Sequence, residues 1–324
     1  MTSPLASTDV DTERIGRAGL ITLNRPAALN ALTLPMIRQL RAAFDAHVTD
    51  PAVQVIVLRS ASPKAFCAGG DMRRIRELSL AGQFDEIASF FTEEYALDLA
   101  IAECPKPYVS LIDGIAMGGG LGLSVHGRHR VATEHAQMAM PETAIGFIPD
   151  VGASHFLSKL EPAIGMWLAL TGARVKADEA VAIGLATQLT RRERLPELLA
   201  ALTDASAGEV ETVLQRFADT PATDTVLRAL RQRATGFDAP DLDGVLAAWR
   251  AAEGDAALAA FSPAALRQTF ALLNAARGKP LRECLALEFT ASMIAARHAD
   301  FIEGARAVLV DKDRNPRWQD LSEI

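Results

Sequence analysis

Cysteine is scarce in this chain, and its few thiols are badly placed for covalent staples. Cys67, Cys104 and Cys284 are odd in number, widely separated, and free of any CxxC or Cys/His pairing. That excludes a disulfide framework and leaves no metal site to expect, and it fits a reducing cytoplasm. Long apolar runs are missing too: no segment reaches the roughly 18 apolar residues that a membrane span needs. The opening stretch, MTSPLASTDVDTERIGRAG, has no basic region followed by an apolar one, so it reads as a loose tail over 1–14 and not as an export signal. Blocks of Lys and Arg are also missing, and the formal net charge is −7. A nucleic-acid surface is therefore not expected, and a small-molecule substrate fits better.

Several catalytic signatures fail on spacing. His126, His129, His135 and His155 form no HExxH-like arrangement, and each reads as structural or surface. The run from Gly118 to Gly122 satisfies neither GxGxxG nor a phosphate loop ending in Lys-Ser/Thr. Gly122 to His126 falls one residue short of a nucleophile elbow, because position 126 is His and not Gly. Arg128 and Arg130 read as a solvated turn and not as a phosphate clamp.

What is present is an alternation of strands and helices in a chain of 324 residues, 49% of them hydrophobic. That length predicts one large domain with a smaller one or a helical extension appended. Gly19 to Asn24 reads as a short strand stopped before Pro26, and a helix should start near Thr33 with Ile37, Leu40, Phe44 and Val48 on one face. Val53 to Ser60 is β-branched and almost continuously apolar, as expected for a parallel strand covered on both faces. Gly69-Gly70 then bares backbone amides ahead of a helix beginning at Met72. A helical pattern over 84–104 ends at Pro105 and Pro107 and feeds a central strand over 108–115. The triple glycine Gly118-Gly119-Gly120 follows, then a small-residue helix and two short strands. Alternation of this kind implies parallel strands with right-handed crossovers. Helices are expected over 151–160, 163–170 and 177–183, with a brief strand near Ala186 to Leu189. From about Leu195 onward the pattern is helix after helix, expected to pack back onto the sheet.

Two glycine turns, each after a strand, can converge on one carbonyl oxygen and stabilise it as it becomes an oxyanion. Taken singly, Gly70 and Gly119 are better explained as permitting tight turns, and their pairing across the sheet weakens that explanation. Glu142 follows Pro141 in apolar surroundings, where an unpaired carboxylate is unfavourable. Desolvation would raise its pKa and suit it to proton transfer or nucleophilic attack, whereas a salt-bridged or cap-like acid is the plainer alternative. Asp150, eight residues on, reads locally as a helix cap.

The blocks GLITLNRPAALNALT, KAFCAGGDM, PKPYVSLIDGIAMGGG and MPETAIGFIPDVGAS together resemble the crotonase (enoyl-CoA hydratase/isomerase) superfamily over roughly 15–200. The resemblance implies an α/β fold, a spiral of repeated ββα units that binds a coenzyme A thioester. It places the thioester oxygen on the amides of Gly70 and Gly119. It also implies a core domain over 15–200, a helical C-terminal region over 201–324 packed on it, and no cofactor beyond the coenzyme A of the substrate. Hydratases of the superfamily typically carry one catalytic glutamate in the helix after the triple glycine and a second in the Pro-Glu segment. Here the first position is Gly122 and only Glu142 is present. Losing one such group typically costs about a hundred- to ten-thousand-fold.

The run GGGLGLSVHG, the segment FFTEEY and the long C-terminal stretch from ALEFTASM to DRNPRW resemble instead the 3-hydroxyisobutyryl-CoA hydrolase branch. Glu94, Gly119, Glu142 and Asp150 fall where that branch contacts substrate or performs catalysis. The expectation is hydrolysis of a short 3-hydroxyacyl-CoA, with enoyl-CoA hydration or isomerisation as the alternative. Glu142 would attack the carbonyl or activate a water, Asp150 would orient the 3-hydroxyl or assist proton movement, and Glu94 would help position these groups. Crotonase relatives often form trimers, so a homo-oligomer is a further possibility that the C-terminal helices would restrict.

Overall fold

The computed structural model describes residues 9–319. Strand β3 (Val55–Ser60) shows how the architecture arises, because its apolar side chains point both ways. Val55 and Val57 enter one buried cluster with Leu198, Leu202 and Val213, while Ile56 and Leu58 enter a second with Ile37, Phe44 and Phe66. A period of two with both faces apolar is what a strand covered on both sides requires.

Around it, β1 (Val10–Ile15) runs antiparallel to β2 (Ala18–Leu23). Next in order come β3, β5 (Tyr108–Ile112), β7 (His129–Thr133) and β10 (Gln188–Thr190), each parallel to its neighbour, completing a six-stranded sheet. A second sheet of four holds β4 (Ala65–Cys67), β6 (Ile115–Met117), β8 (Gln137–Ala139) and β9 (Val175–Lys176). Successive strands divide between the sheets, β3 then β4, β5 then β6, β7 then β8. Helices follow each pair: α2 (Met72–Leu80) and α3 (Phe84–Ala102), then α4 (Gly119–Val125), then α5 (Ala153–Leu157). This repeat is the ββα spiral. Helix α1 (Leu34–Thr49) follows β2 and starts where N-cap chemistry predicts, with Thr33 Oγ1 accepting from the Met36 amide at 3.3 Å.

The C-terminal helices complete the core. Leu195–Asp204 and Val210–Phe217 cover one face of the six-stranded sheet through Leu198, Leu202, Val210 and Leu214. Later helices lie on the other side, and their Trp249, Leu273 and Phe301 share a cluster with Ile56 and Phe91. The helix Leu281–Ala295 packs on α3, and Ala299–Ala305 packs on α2.

Four expectations need correction. Residues 10–14 are not a tail but belong to edge strand β1, whose side chains beyond Val10 are exposed; its pairing with β2 is backbone chemistry that polar side chains conceal. Residues 1–8 lie outside the described residues. The expected single strand over 108–115 is two strands in two sheets, because the chain crosses between them at Asp113-Gly114, where Gly114 has φ +88°. The helix expected over 151–160 is cut to Ala153–Leu157 by positive φ at Val151 and Gly152. The change of composition near residue 200 falls inside the helix Leu195–Asp204 and not at a break between elements.

Because Leu202 is fully buried between helix and sheet, far in the fold from the glycine turns, Leu202→Ala should lower stability by about 2–5 kcal/mol. Urea unfolding followed by circular dichroism checks this.

Candidate active site

The two glycine turns meet. One follows β4 and carries Gly70; the other follows β6 and opens α4 at Gly119. A Cβ on Gly119 would stand 3.4 Å from the Gly70 amide nitrogen and 2.5 Å from Glu94 Oε1, so a larger residue there would displace the Glu94 carboxyl. Among the described residues neither the Gly70 nor the Gly119 amide donates to a protein acceptor. Two N–H groups without a protein acceptor among the described residues therefore lie in adjoining turns.

Carboxylates surround them. Glu94, on the buried stripe of α3, leaves its Oε1 without a hydrogen-bond partner. Glu142 opens a 3₁₀ turn, Glu142–Ile145, and its Oε2 is likewise buried and unpartnered. Asp150 accepts a hydrogen bond on Oδ2 from the Tyr95 hydroxyl at 2.7 Å. The cap reading of Asp150 is thus corrected: α5 is preceded by Gly152 with no side-chain cap, and the Asp150 carboxylate turns inward. Gly70, Glu94, Gly119, Glu142 and Asp150 all line one cavity of about 330 Å³. Its apolar wall includes Phe90, Phe91 and Phe147, joined by Val308 and Leu309 from a π-helical turn, Arg306–Val310.

The picture of a single acid beside an empty position is also corrected. A Cβ on Gly122 would lie 2.9 Å from each carboxylate oxygen of Asp98 and 2.8 Å from Val151 Cβ. Asp98, one turn beyond Glu94 on α3, fills the space that a side chain at position 122 would take, and both its oxygens lack partners. The absence of a glutamate at 122 therefore does not leave the site with one carboxylate.

Burial dominates the electrostatics. It raises the pKa of Glu142 well above the ordinary carboxylate range, and the charges of Asp150 and Glu94 add to the shift. Burial and Asp150 do the same to Glu94. Burial lifts Asp150 to about 7 against the opposing hydrogen bond from Tyr95. None of these groups has an ion-pair partner among the described residues, so no countercharge offsets the burial that raises their pKa values.

Sequence reasoning missed Tyr95, Asp98, Glu288 and Ser292. A signal existed: Ile87, Phe91, Glu94, Asp98 and Ile101 recur at helical spacing, which puts both acids on the apolar stripe of α3. Arg130 is not a solvated turn residue, since its guanidinium donates to the carbonyls of Gly127, Gly184 and Leu185. His126 is structural as expected, bonded to the Val151 carbonyl oxygen at 2.7 Å.

The model of the family described as enoyl-CoA hydratase/isomerase matches residues 18–323. The chain belongs to that family. Among related family members, the human protein named 3-hydroxyisobutyryl-CoA hydrolase, mitochondrial, is 42% identical over 98% of this chain and 86% of its own length. The protein of the same name from Danio rerio is 40% identical over 98% and 87%. Among solved structures, a carnitinyl-CoA dehydratase from Mycobacterium thermoresistibile superposes with a TM-score of 0.89 at 34% identity, covering 98% of this chain and 94% of that one. An enoyl-CoA hydratase from Rhodobacter sphaeroides gives 0.79 at 39% identity, covering 97% and 93%. The crotonase fold is thereby shown. No helix among the described residues is long and apolar enough to cross a membrane.

The raised acid at Asp150 has a consequence for stability. With a folded pKa of about 7 against an ordinary 3.8, the native state holds this proton more tightly than the unfolded chain. Its contribution to stability is full below about pH 4 and is lost as pH rises through about 7. Between pH 5 and 8, urea denaturation should show wild type losing stability relative to Asp150→Asn, which cannot ionise.

Proposed function

We propose that the chain hydrolyses a short 3-hydroxyacyl-CoA thioester, 3-hydroxyisobutyryl-CoA by the names of its relatives, to the free acid and CoA. The observation that carries this is the meeting of two open amides with the unpartnered Glu142 carboxylate in one small, largely apolar cavity. The Gly70 and Gly119 N–H groups hold the thioester oxygen as negative charge grows on it. Glu142 supplies the attacking oxygen, either its own or that of a water it deprotonates. The C–S bond breaks and the CoA sulfur leaves with a proton; where Glu142 itself attacks, water then cleaves the mixed anhydride to free acid and Glu142, and where water attacks, its oxygen becomes the new carboxyl oxygen. Asp150, with a pKa of about 7, suits return of that proton near neutral pH or a hydrogen bond to the 3-hydroxyl. Glu94 fixes the neighbourhood of Gly119. Water is the only co-reactant, so the step calls on no metal or redox group.

The second reading is hydration of an enoyl-CoA. It is favoured by the presence of Glu94 beside Glu142, two buried carboxylates in one cavity, and by the names of the superposed proteins. The 40–42% identity with proteins named as hydrolases weighs the other way. A reducing compartment such as the cytoplasm suits the three free thiols; the word mitochondrial belongs to the relatives' names.

A larger cavity of about 710 Å³ opens beside the first, with Phe90 lining both, and we assign it to the coenzyme A arm. Arg25, Arg38, Arg73 and Arg74 line it; Arg25, Arg38 and Arg74 are paired with Asp71, Glu93 and Glu77. Arg73 has no ion-pair partner among the described residues and is the cation left for phosphate.

Thiol release from 3-hydroxyisobutyryl-CoA, followed with a chromogenic disulfide, tests the main reading: Glu142→Gln should lower kcat by roughly a hundred- to ten-thousand-fold. Retention of wild-type release by that variant contradicts it. Arg73→Ala should raise KM roughly 3- to 10-fold while leaving kcat within about twofold, the pattern of lost ground-state binding. The same assay at varied substrate concentration reads both.

A further inference from the structure

Asp150 is followed at once by two residues in the left-handed region, Val151 at φ +52° and Gly152 at φ +82°. A β-branched residue there is strained, and such strain persists only where the surroundings over-determine it. The restraint comes from far along the chain. Glu288, fully buried on the helix Leu281–Ala295, accepts hydrogen bonds from the Gly152 amide at 2.6 Å, the Ser154 amide at 2.8 Å and the Ser154 hydroxyl at 2.5 Å. One turn later on the same face, Ser292 Oγ lies 2.9 Å from the Tyr95 hydroxyl, which donates to Asp150 Oδ2. On the opposite side the His126 ring holds the Val151 carbonyl oxygen.

We infer that Glu288 and Ser292 are positioning residues, through which one face of the helix Leu281–Ala295 sets both the backbone and the carboxylate of Asp150 for the reaction. Glu288 holds the backbone at Gly152 and Ser154, just beyond Asp150, and Ser292 reaches the Asp150 carboxylate through Tyr95. Neither residue lines the cavity, so neither touches substrate. All three hydrogen bonds that this buried carboxylate accepts come from one turn, two from main-chain amides and one from a hydroxyl. Its use is the shape of the turn. Burial lifts its pKa to about 8 against those three hydrogen bonds.

The activity readout of this inference rests on the hydrolase reading, whereas its structural readout does not. Glu288→Gln keeps the side-chain length but turns an amide donor toward one of the N–H groups. Amide hydrogen exchange over residues 150–157, read by mass spectrometry on the full chain without substrate, should accelerate by roughly tenfold or more. The kcat for thiol release should fall about 10- to 100-fold with KM within about twofold, as expected for a misplaced catalytic group. Placed on Asp150→Asn, Glu288→Gln should add less than about threefold, because both changes remove one function. Unchanged exchange over 150–157, or a full additional loss in the double variant, would overturn the inference. If Glu288→Gln does not fold, Ser292→Ala carries the same test, with its kcat loss again expected to vanish on Asp150→Asn. Should wild type release no thiol from any 3-hydroxyacyl-CoA, the hydrolase reading fails and exchange alone decides the positioning role.

Discussion

The constraint on which the site depends is the burial of several carboxyl groups in one apolar region with no ion-pair partner among the described residues. Glu94, Asp98, Glu142, Asp150 and Glu288 are all buried. An isolated buried carboxylate is costly, and a set of them more so, since each charge raises the proton affinity of the next. The molecule meets this in two ways. Hydrogen bonds hold Asp150 and Glu288, while Glu94, Asp98 and Glu142 keep oxygens with no protein partner. Of these, Glu94 and Glu142 line the cavity and can exchange protons with a bound molecule, and burial is what raises the pKa values of all three.

The spiral gives this arrangement its place. Because successive strands pass alternately into two sheets, the turn after β4 and the turn after β6 end side by side, and the amides of Gly70 and Gly119 are left open there. Helix α3 brings two acids and Tyr95 along one stripe, and the segment after β8 brings Glu142 and Asp150. The C-terminal helices then do more than cover the sheet. They supply Glu288 and Ser292 behind the cavity and Val308 and Leu309 in its wall.

How much of this was legible in the sequence depends on where the causes lie. Strand β3 and helix α1 are visible because burial alone dictates their patterns, and the glycine turns because few other reasons put glycines after strands. The five residues Gly70, Glu94, Gly119, Glu142 and Asp150 line one cavity. Strand β1 was hidden because an edge strand is held by backbone bonds that leave its side chains polar. The break at Asp113-Gly114 was hidden because both halves are apolar. Asp98 was missed for a different reason: the vacancy at Gly122 was read along the helix that contains it, while the group that fills the space comes from a neighbouring helix. Contacts between positions so far apart, Glu288 with Gly152 above all, leave no local trace.

The central claim is that this cavity breaks the C–S bond of a thioester in preference to adding water across a double bond. Initial rates measured on one wild-type preparation, thiol release from 3-hydroxyisobutyryl-CoA against loss of enoyl absorbance from crotonyl-CoA, compare the two directly. The account predicts that thiol release exceeds enoyl hydration by at least about a hundredfold in kcat/KM. Rapid loss of the enoyl signal with negligible free thiol would contradict it.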